Sequence, residues 1–518
     1  MSDDHAATAI GAYGSRLAKL NPTPTIDKLA SEGMLMENCF CTNAICSPSR
    51  ATILTGQYSH ITGVTGLGGK VEKDKQTLPI ELAKAGYETA VIGKWHLGTQ
   101  PEAFNYYKVL KSQGKYHNPE FYERKNAQVL EVQVNEQGYS SDIIADSSIK
   151  WLKGRDKTKP FFLMIQFKAP HGPWDFAERY KELYADVEIP EPPTMRDRDG
   201  FGSIATRGHN NELDFAIGSS IGRRNHHRSY LAKARLKIDD LDDDEALTIA
   251  YQDYLKSYLR CVRGVDDNIK RLLDYLESEG ELDNTLIVYT SDQGMFLGEH
   301  DFGDKRWMYE EALRMPFIIR YPKSINAAAR SDAIVNNTDF APTLLEFAGA
   351  NTPSQMQGES FREILETGKE PADWRKGSYY RYWLHMNHHH NPAHFGIRTK
   401  DYKLIFFYGL SKKGTEDQTP PGWELYDIKN DPLETTNVYA KAEYKKIVKD
   451  LKQQLIELRK EVGDSDTGNS AIQNIIDEHW EDTHARANEI SHESVKYWES
   501  YSKKKGSDKE KKKQKRIK

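Results

Sequence analysis

Four short runs of apolar, β-branched and aromatic residues, at 89–92, 161–167, 286–290 and 317–321, are separated by stretches of helical period at 78–85, 142–152, 250–278 and 341–347. Runs of this length suit buried strands, and their alternation with helical segments predicts an α/β fold: a largely parallel sheet flanked by helices. The 518 residues, 38% apolar and 11% aromatic, suffice for one large core and a smaller attached unit. After about residue 367 the texture changes to short aromatic runs at 378–383, 395–398, 402–408 and 423–426, then an amphipathic stretch at 442–462. That pattern predicts a small antiparallel sheet with a packed helix. The expected division is a main domain at 1–367, a C-terminal subdomain at 368–500 and a basic tail at 501–518. Residues 190–244, rich in Pro, Gly, Arg, His and acidic clusters, read as an excursion from the core.

Net charge is -5 and the pI near 6.4, so nothing global calls for nucleic acid, and the basic run at 503–518 reads as a solvated tail. Cys39, Cys41, Cys46 and Cys261 are too few for a disulfide scaffold. No apolar run approaches the ~20 residues of a membrane span, and the N-terminus shows no charged-then-apolar signal segment.

Reactive residues follow directly on the apolar runs. Residues 89–92 lead into Gly93-Lys94-Trp95-His96, residues 161–167 into Lys168-Ala169-Pro170-His171, and residues 286–291 into Asp292-Gln293-Gly294. Ligands in parallel α/β sheets bind at the carboxyl ends of strands, so the three tips are candidates for one site. A fourth segment runs from Ala44 to Gly56. Ser47 suits a helix N-cap, Pro48 the first helical position and Gly56 the residue after the last turn, so a short helix is expected just beyond Cys46. The helix dipole would favour negative charge there, making Cys46 an activated thiolate or something made from one.

These segments resemble the sulfatase family. Cys46-Ser47-Pro48-Ser49-Arg50 resembles its Cys-x-Pro-x-Arg signature, whose cysteine is oxidised to formylglycine by a formylglycine-generating enzyme. Residues 86–96 resemble its second signature, and Asp3-Asp4-His5, Asp292-Gln293-Gly294 and Gly298-Glu299-His300 resemble its metal-binding segments. The resemblance implies an alkaline-phosphatase-like fold and a hydrated aldehyde at Cys46 that attacks the sulfur of a sulfate ester. It implies a cation held by Asp3, Asp4, Asp292, Gln293 and the modified Cys46. The all-oxygen set favours calcium, with magnesium as the alternative, over zinc. Gln293 stands where the family most often has asparagine. By the same resemblance Lys94 and Lys305 neutralise sulfate oxygens, Arg50 and His96 hold the nucleophile, His171 protonates the leaving oxygen, and His300 supports without reacting.

Residues 301–311 with Arg314-Met315-Pro316, and 394–399 with Tyr402-Lys403-Leu404, resemble glycan sulfatases, particularly those acting on 6-O-sulfated N-acetylglucosamine. On that reading the substrate is a sulfated carbohydrate, touched by His394 and Arg398. The alternatives are an aryl- or choline-sulfatase-like enzyme, a phosphonate or phosphate ester hydrolase of the same superfamily, and a non-catalytic glycan-binding relative. Adjacent histidines 388–390 read as a polar loop. In the fold resembled, the paired aspartates end a buried central strand, yet only Met1 and Ser2 precede Asp3. The expectation is therefore an upstream start encoding that strand and a secretory signal, with the enzyme in the periplasm or outside the cell.

Overall fold

The computed structural model describes residues 1–124, 132–224, 226–233, 236–412, 418–466, 468–481 and 485–514. The chain forms two compact units. The first comprises residues 1–192, 230–297 and 305–378, and the second 193–229, 298–304 and 379–518. Residues 193–229, within the stretch read as an excursion, thus belong with the C-terminal unit.

The first unit carries two sheets. One has the order β5 (Val132–Asn135), β4 (Glu120–Glu123), β3 (Tyr106–Leu110), β2 (Glu88–Gly93), β6 (Phe161–Gln166). The other runs β7 (Ile287–Thr290), β8 (Phe317–Arg320), β1 (Met34–Phe40), β9 (Ala329–Asn336). Pairing is parallel where β2 meets β3 and β6 and where β1 meets β9, but antiparallel from β3 to β4 to β5 and from β7 to β8 to β1. The expected sheet is therefore mixed: β4 and β5 return without the helical crossover that a parallel neighbour requires.

Strand β2 shows why the core forms around it. Its side chains alternate faces: Ala90 and Ile92 pack with Ile144, Trp151, Val265 and Leu272, from the helices Ser140–Gly154 and Asp243–Ser278. Val91, on the other face, packs with Ala51 and Leu54 of the helix Cys46–Thr55. Full burial of each such aliphatic side chain contributes roughly 1.5–3 kcal/mol. At the end of β2, Gly93 has φ 112°, and a Cβ there would lie 1.9 Å from the carbonyl oxygen of Gln166. Only glycine lets the strands close this tightly, and Lys94 N–H then donates to Gln166 O at 2.7 Å.

Residues 1–3 bridge the ends of β6 and β7. Phe167 N–H donates to Met1 O, Ser2 N–H to Thr290 O, Asp3 N–H to Ala169 O and Asp292 N–H to Ser2 O, with parallel bridges Ser2–Ser291 and Asp3–Pro170. Asp3 thus sits at the carboxyl end of a strand position between β6 and β7. Beside Met1 a cavity of about 650 Å³ is lined by both strands and by apolar residues including Ile53, Leu152, Ile269, Phe317 and Phe340.

The second unit contains most of a sheet of order β10 (Gly377–Tyr382), β11 (His394–Thr399), β12 (Tyr402–Phe407), β13 (Gly422–Asp427), antiparallel from β11 to β12 to β13, and the helix Lys445–Glu461, with Leu451 and Leu455 buried, packs against β11 and β12. Residues 388–390 form turns, as expected. The backbone of the basic segment is helical to residue 514, within Ala485–Gln514, and residues 515–518 lie outside the described residues.

Candidate active site

The strand tips converge. Carboxylate oxygens of Asp3, Asp4 and Asp292, all buried, lie within 4.8 Å of one another. Asp4 adopts φ 61°, and its N–H donates to Asp292 Oδ1 at 3.1 Å. Arg50 binds the cluster from the nucleophile helix: Nε donates to Asp292 Oδ2 at 3.0 Å, Nη1 donates to Lys94 O and to Gln166 Oε1, each at 2.6 Å, and Nη2 lies 3.5 Å from Asp3 Oδ1. Arg50, expected to hold the nucleophile, is thus a clamp on two carboxylates. Lys94 pairs with Asp3 and Lys305 with Asp4. Buried ammonium groups facing buried carboxylates offset part of each other's desolvation.

These charges set the protonation states. Burial pushes Asp3 up, but Lys94, His171 and Arg50 outweigh it and hold its carboxyl well below the usual range. Asp292 is pushed up to about 7 by burial and by Asp3, against Arg50. Asp4 is raised by burial, against Lys305. The crowding of three carboxylates is what a divalent cation relieves. The donor set fits one, since Asp3 Oδ1 and Gln293 Oε1 are buried without a hydrogen-bond partner, while Gln293 Nε2 donates to Asp4 Oδ1. All-oxygen ligands suit calcium or magnesium.

Cys46 opens the helix Cys46–Thr55, with Ile45 rather than Ser47 as the flanking residue. Ser47 Oγ does not cap the helix but donates to His96 O at 2.9 Å. Gly56 ends it at φ 64°, as expected. The Cys46 sulfur, standing where the oxygens of a formylglycine would be, lies 3.1 Å from His96 Nδ1. As a thiol Cys46 is not activated. Burial pushes it up, with Lys94 and Lys305 opposing and Asp3 and Asp292 reinforcing, which disfavours the thiolate and leaves the product made from the thiol as the reactive species to test. His96 is pushed down to about 3 by burial and Lys94, and is neutral.

His171 Nε2 lies 3.7 Å from Asp4 Oδ2, and its Nδ1 is 2.8 Å from Gly172 O, which makes Nδ1 the donor. Burial and the two lysines hold the ring well below its ordinary range. Three residues earlier Lys168, buried over the ring of Tyr116 at 5.1 Å, is pushed down to about 8 by burial and Lys94. It stands in a tip the sequence singled out, without an assigned role. Gln166, Tyr258 and Ser291 were also missed, because no local pattern marks them. His394, Arg398 and His300 lie in the second unit. His394 is stacked on Tyr380 and packs near Tyr382 and Phe407, with burial pushing it down to about 3. Arg398 is buried on β11, and His300 stacks on Phe201 at 4.0 Å.

The sulfatase family model matches residues 1–350, and a model for the C-terminal region of N-sulphoglucosamine sulphohydrolase matches residues 298–461. The chain is 42% identical over 499 residues to an N-acetylglucosamine-6-O-sulfatase of Bacteroides thetaiotaomicron, covering 90% of this chain and 86% of that protein. A solved structure in complex with its substrate D-glucosamine-2-N,6-O-disulfate is 42% identical, with TM-score 0.78, covering 90% of this chain and 97% of the other. A phosphonate monoester hydrolase from Silicibacter pomeroyi, 20% identical with TM-score 0.68 and coverage of 90% and 95%, shares the fold. A family match across the whole buried cluster, together with a relative aligned over most of both chains, settles the assignment: this chain belongs to the sulfatase family and is a sulfuric ester hydrolase.

Proposed function

We propose that the enzyme removes the 6-O-sulfate from a glucosamine or N-acetylglucosamine unit of a sulfated glycan, with Cys46 converted to formylglycine and with calcium as the cation. The observation that carries the chemistry is the buried ring around Cys46: three carboxylates clamped by Arg50, Lys94 and Lys305. The sugar and the sulfate position are supported by the 42% identical relatives.

Asp3, Asp4, Asp292 and Gln293 would hold the cation, which with formylglycine supplies a nucleophilic oxygen at neutral pH and charge neutralisation beside the sulfate. Lys94 and Lys305 bring positive charge to the place where sulfate oxygens carry negative charge. Arg50 fixes Asp3 and Asp292 relative to the helix that carries residue 46, so the nucleophile and its support move as one body. His96, neutral and beside residue 46, is placed to hold the nucleophile by a hydrogen bond. His171 faces the leaving oxygen in this reading. Because Gly172 O engages its Nδ1–H, a proton delivered from Nε2 requires the doubly protonated ring, with Asp4 as the facing carboxylate. Maturation by a formylglycine-generating enzyme and action in the periplasm or outside the cell belong to the same proposal. Among the described residues no helix is long and apolar enough to cross a membrane.

The test is sulfate release from a panel of sulfated mono- and disaccharides, with aryl sulfate, phosphate and phosphonate esters alongside. Turnover should be highest on 6-O-sulfated glucosamine derivatives. Faster hydrolysis of the phosphonate than of any sulfate would transfer the assignment to the ester hydrolases that share the fold. Thorough chelation should abolish sulfate release, and calcium should restore it better than zinc, since the ligands are hard oxygens. Undiminished turnover in chelator would remove the cation from this account.

A further inference from the structure

Successive side chains on an extended strand point to opposite faces, yet Asp3 and Asp4 both contribute to one carboxylate cluster. The backbone achieves this by turning left-handed at Asp4, where φ is 61°, a region that non-glycine residues populate rarely. Such a conformation persists only where its surroundings fix it. Tyr258, fully buried on the helix Asp243–Ser278, supplies the fixing contact. Its hydroxyl donates to Asp4 O at 2.7 Å and accepts from Ala6 N–H at 2.9 Å, bridging the two sides of the turn. His5 N–H, between them, donates to Ser291 Oγ at 2.9 Å.

We propose that Tyr258 is a positioning residue for the cation site, its hydroxyl holding the turn that brings the carboxylates of Asp3 and Asp4 to one side. The inference rests on the cation reading above. Tyr258 itself touches no reacting atom. It acts through the Asp4 backbone, as groups behind metal ligands do, and losing such a partner typically weakens metal affinity about 10- to 100-fold.

Calorimetric titration of the chelator-stripped protein with Ca²⁺ tests it, with thermal unfolding recorded in chelator. Tyr258→Phe should raise the Ca²⁺ dissociation constant at least ~10-fold. The control is Tyr254→Phe, one turn earlier on the same helix, whose lost hydroxyl donates to Phe296 O at 3.0 Å. It should lower the unfolding temperature in chelator comparably and leave the dissociation constant unchanged. An unchanged constant in Tyr258→Phe, or an equal weakening in both variants, overturns the inference and reduces Tyr258 to packing. Absence of Ca²⁺ binding by the unaltered protein overturns the cation reading instead, and this inference with it. Should Tyr258→Phe not fold, p-aminophenylalanine at 258 keeps a donor toward Asp4 O. It should retain affinity within about threefold, and a loss of ~10-fold or more there also overturns the proposal.

Discussion

Cys46→Ala should lower sulfate release by about 10⁴-fold or more, the scale on which enzymes respond to loss of a covalent nucleophile, while thermal unfolding shifts little. The two effects separate because Cys46 contributes chemistry rather than packing: its sulfur meets His96 Nδ1 at 3.1 Å at the start of a helix otherwise anchored by Ala51, Leu54 and Arg50. The unmodified thiol is no substitute, since burial among carboxylates pushes it up and keeps it protonated. Protein made with a formylglycine-generating enzyme should yield a peptide in which residue 46 bears an aldehyde in place of its thiol. Cys46→Ser should give at most one turnover, with sulfate retained on the protein, because serine lacks the second hydroxyl through which sulfate is expelled. Full activity of enzyme whose residue 46 is still cysteine by mass would defeat the mechanism.

An apolar extended segment of about six residues joined ahead of Met1 should stabilise the protein by several kcal/mol. The cavity of about 650 Å³ beside Met1 is lined along its length by β6 and β7, and residues 1–3 already bridge the ends of both strands in parallel register. Burying five or six apolar side chains there contributes roughly 8–18 kcal/mol. Ordering six residues, backbone and side chains together, costs about 7–12 kcal/mol, leaving a central value of ~4 kcal/mol before backbone pairing. Against the ~5–15 kcal/mol that stabilises a typical protein, this is a large increment. The Met1 amino group, which donates to Ile165 O at 2.8 Å and is pushed down to about 5 by burial and Arg50, would become a neutral amide in the same place. The measurement is the unfolding midpoint of the 518-residue chain, the extended chain, and an extension with lysine and aspartate at alternate positions. Equal midpoints for the apolar and charged extensions would show that the cavity does not accept a strand.

Sequence alone determined the residues whose chemistry is local. Lys94, His96, His171 and Asp292 were legible as candidates because each follows directly on an apolar run, and Cys46 and Arg50 through the resemblance of residues 46–50 to a family signature. Gly56 was legible as a helix terminator from its place after the last turn. Tertiary structure decided what depends on distant partners. Ser47 looks like a cap, but the approach of His96 O claims its hydroxyl. The partner chosen by Arg50, the bridge from Tyr258 to Asp4 and the acceptor role of Gln166 join residues far apart in the chain, and no periodicity encodes such pairs. Apolar runs such as 317–321 predict strands but not their direction, so the antiparallel joins from β7 to β8 to β1 had to be observed. The physical reason is range: capping, turn geometry and side-chain period act within a few residues, whereas strand direction, burial and charge pairing are settled only when separate segments meet.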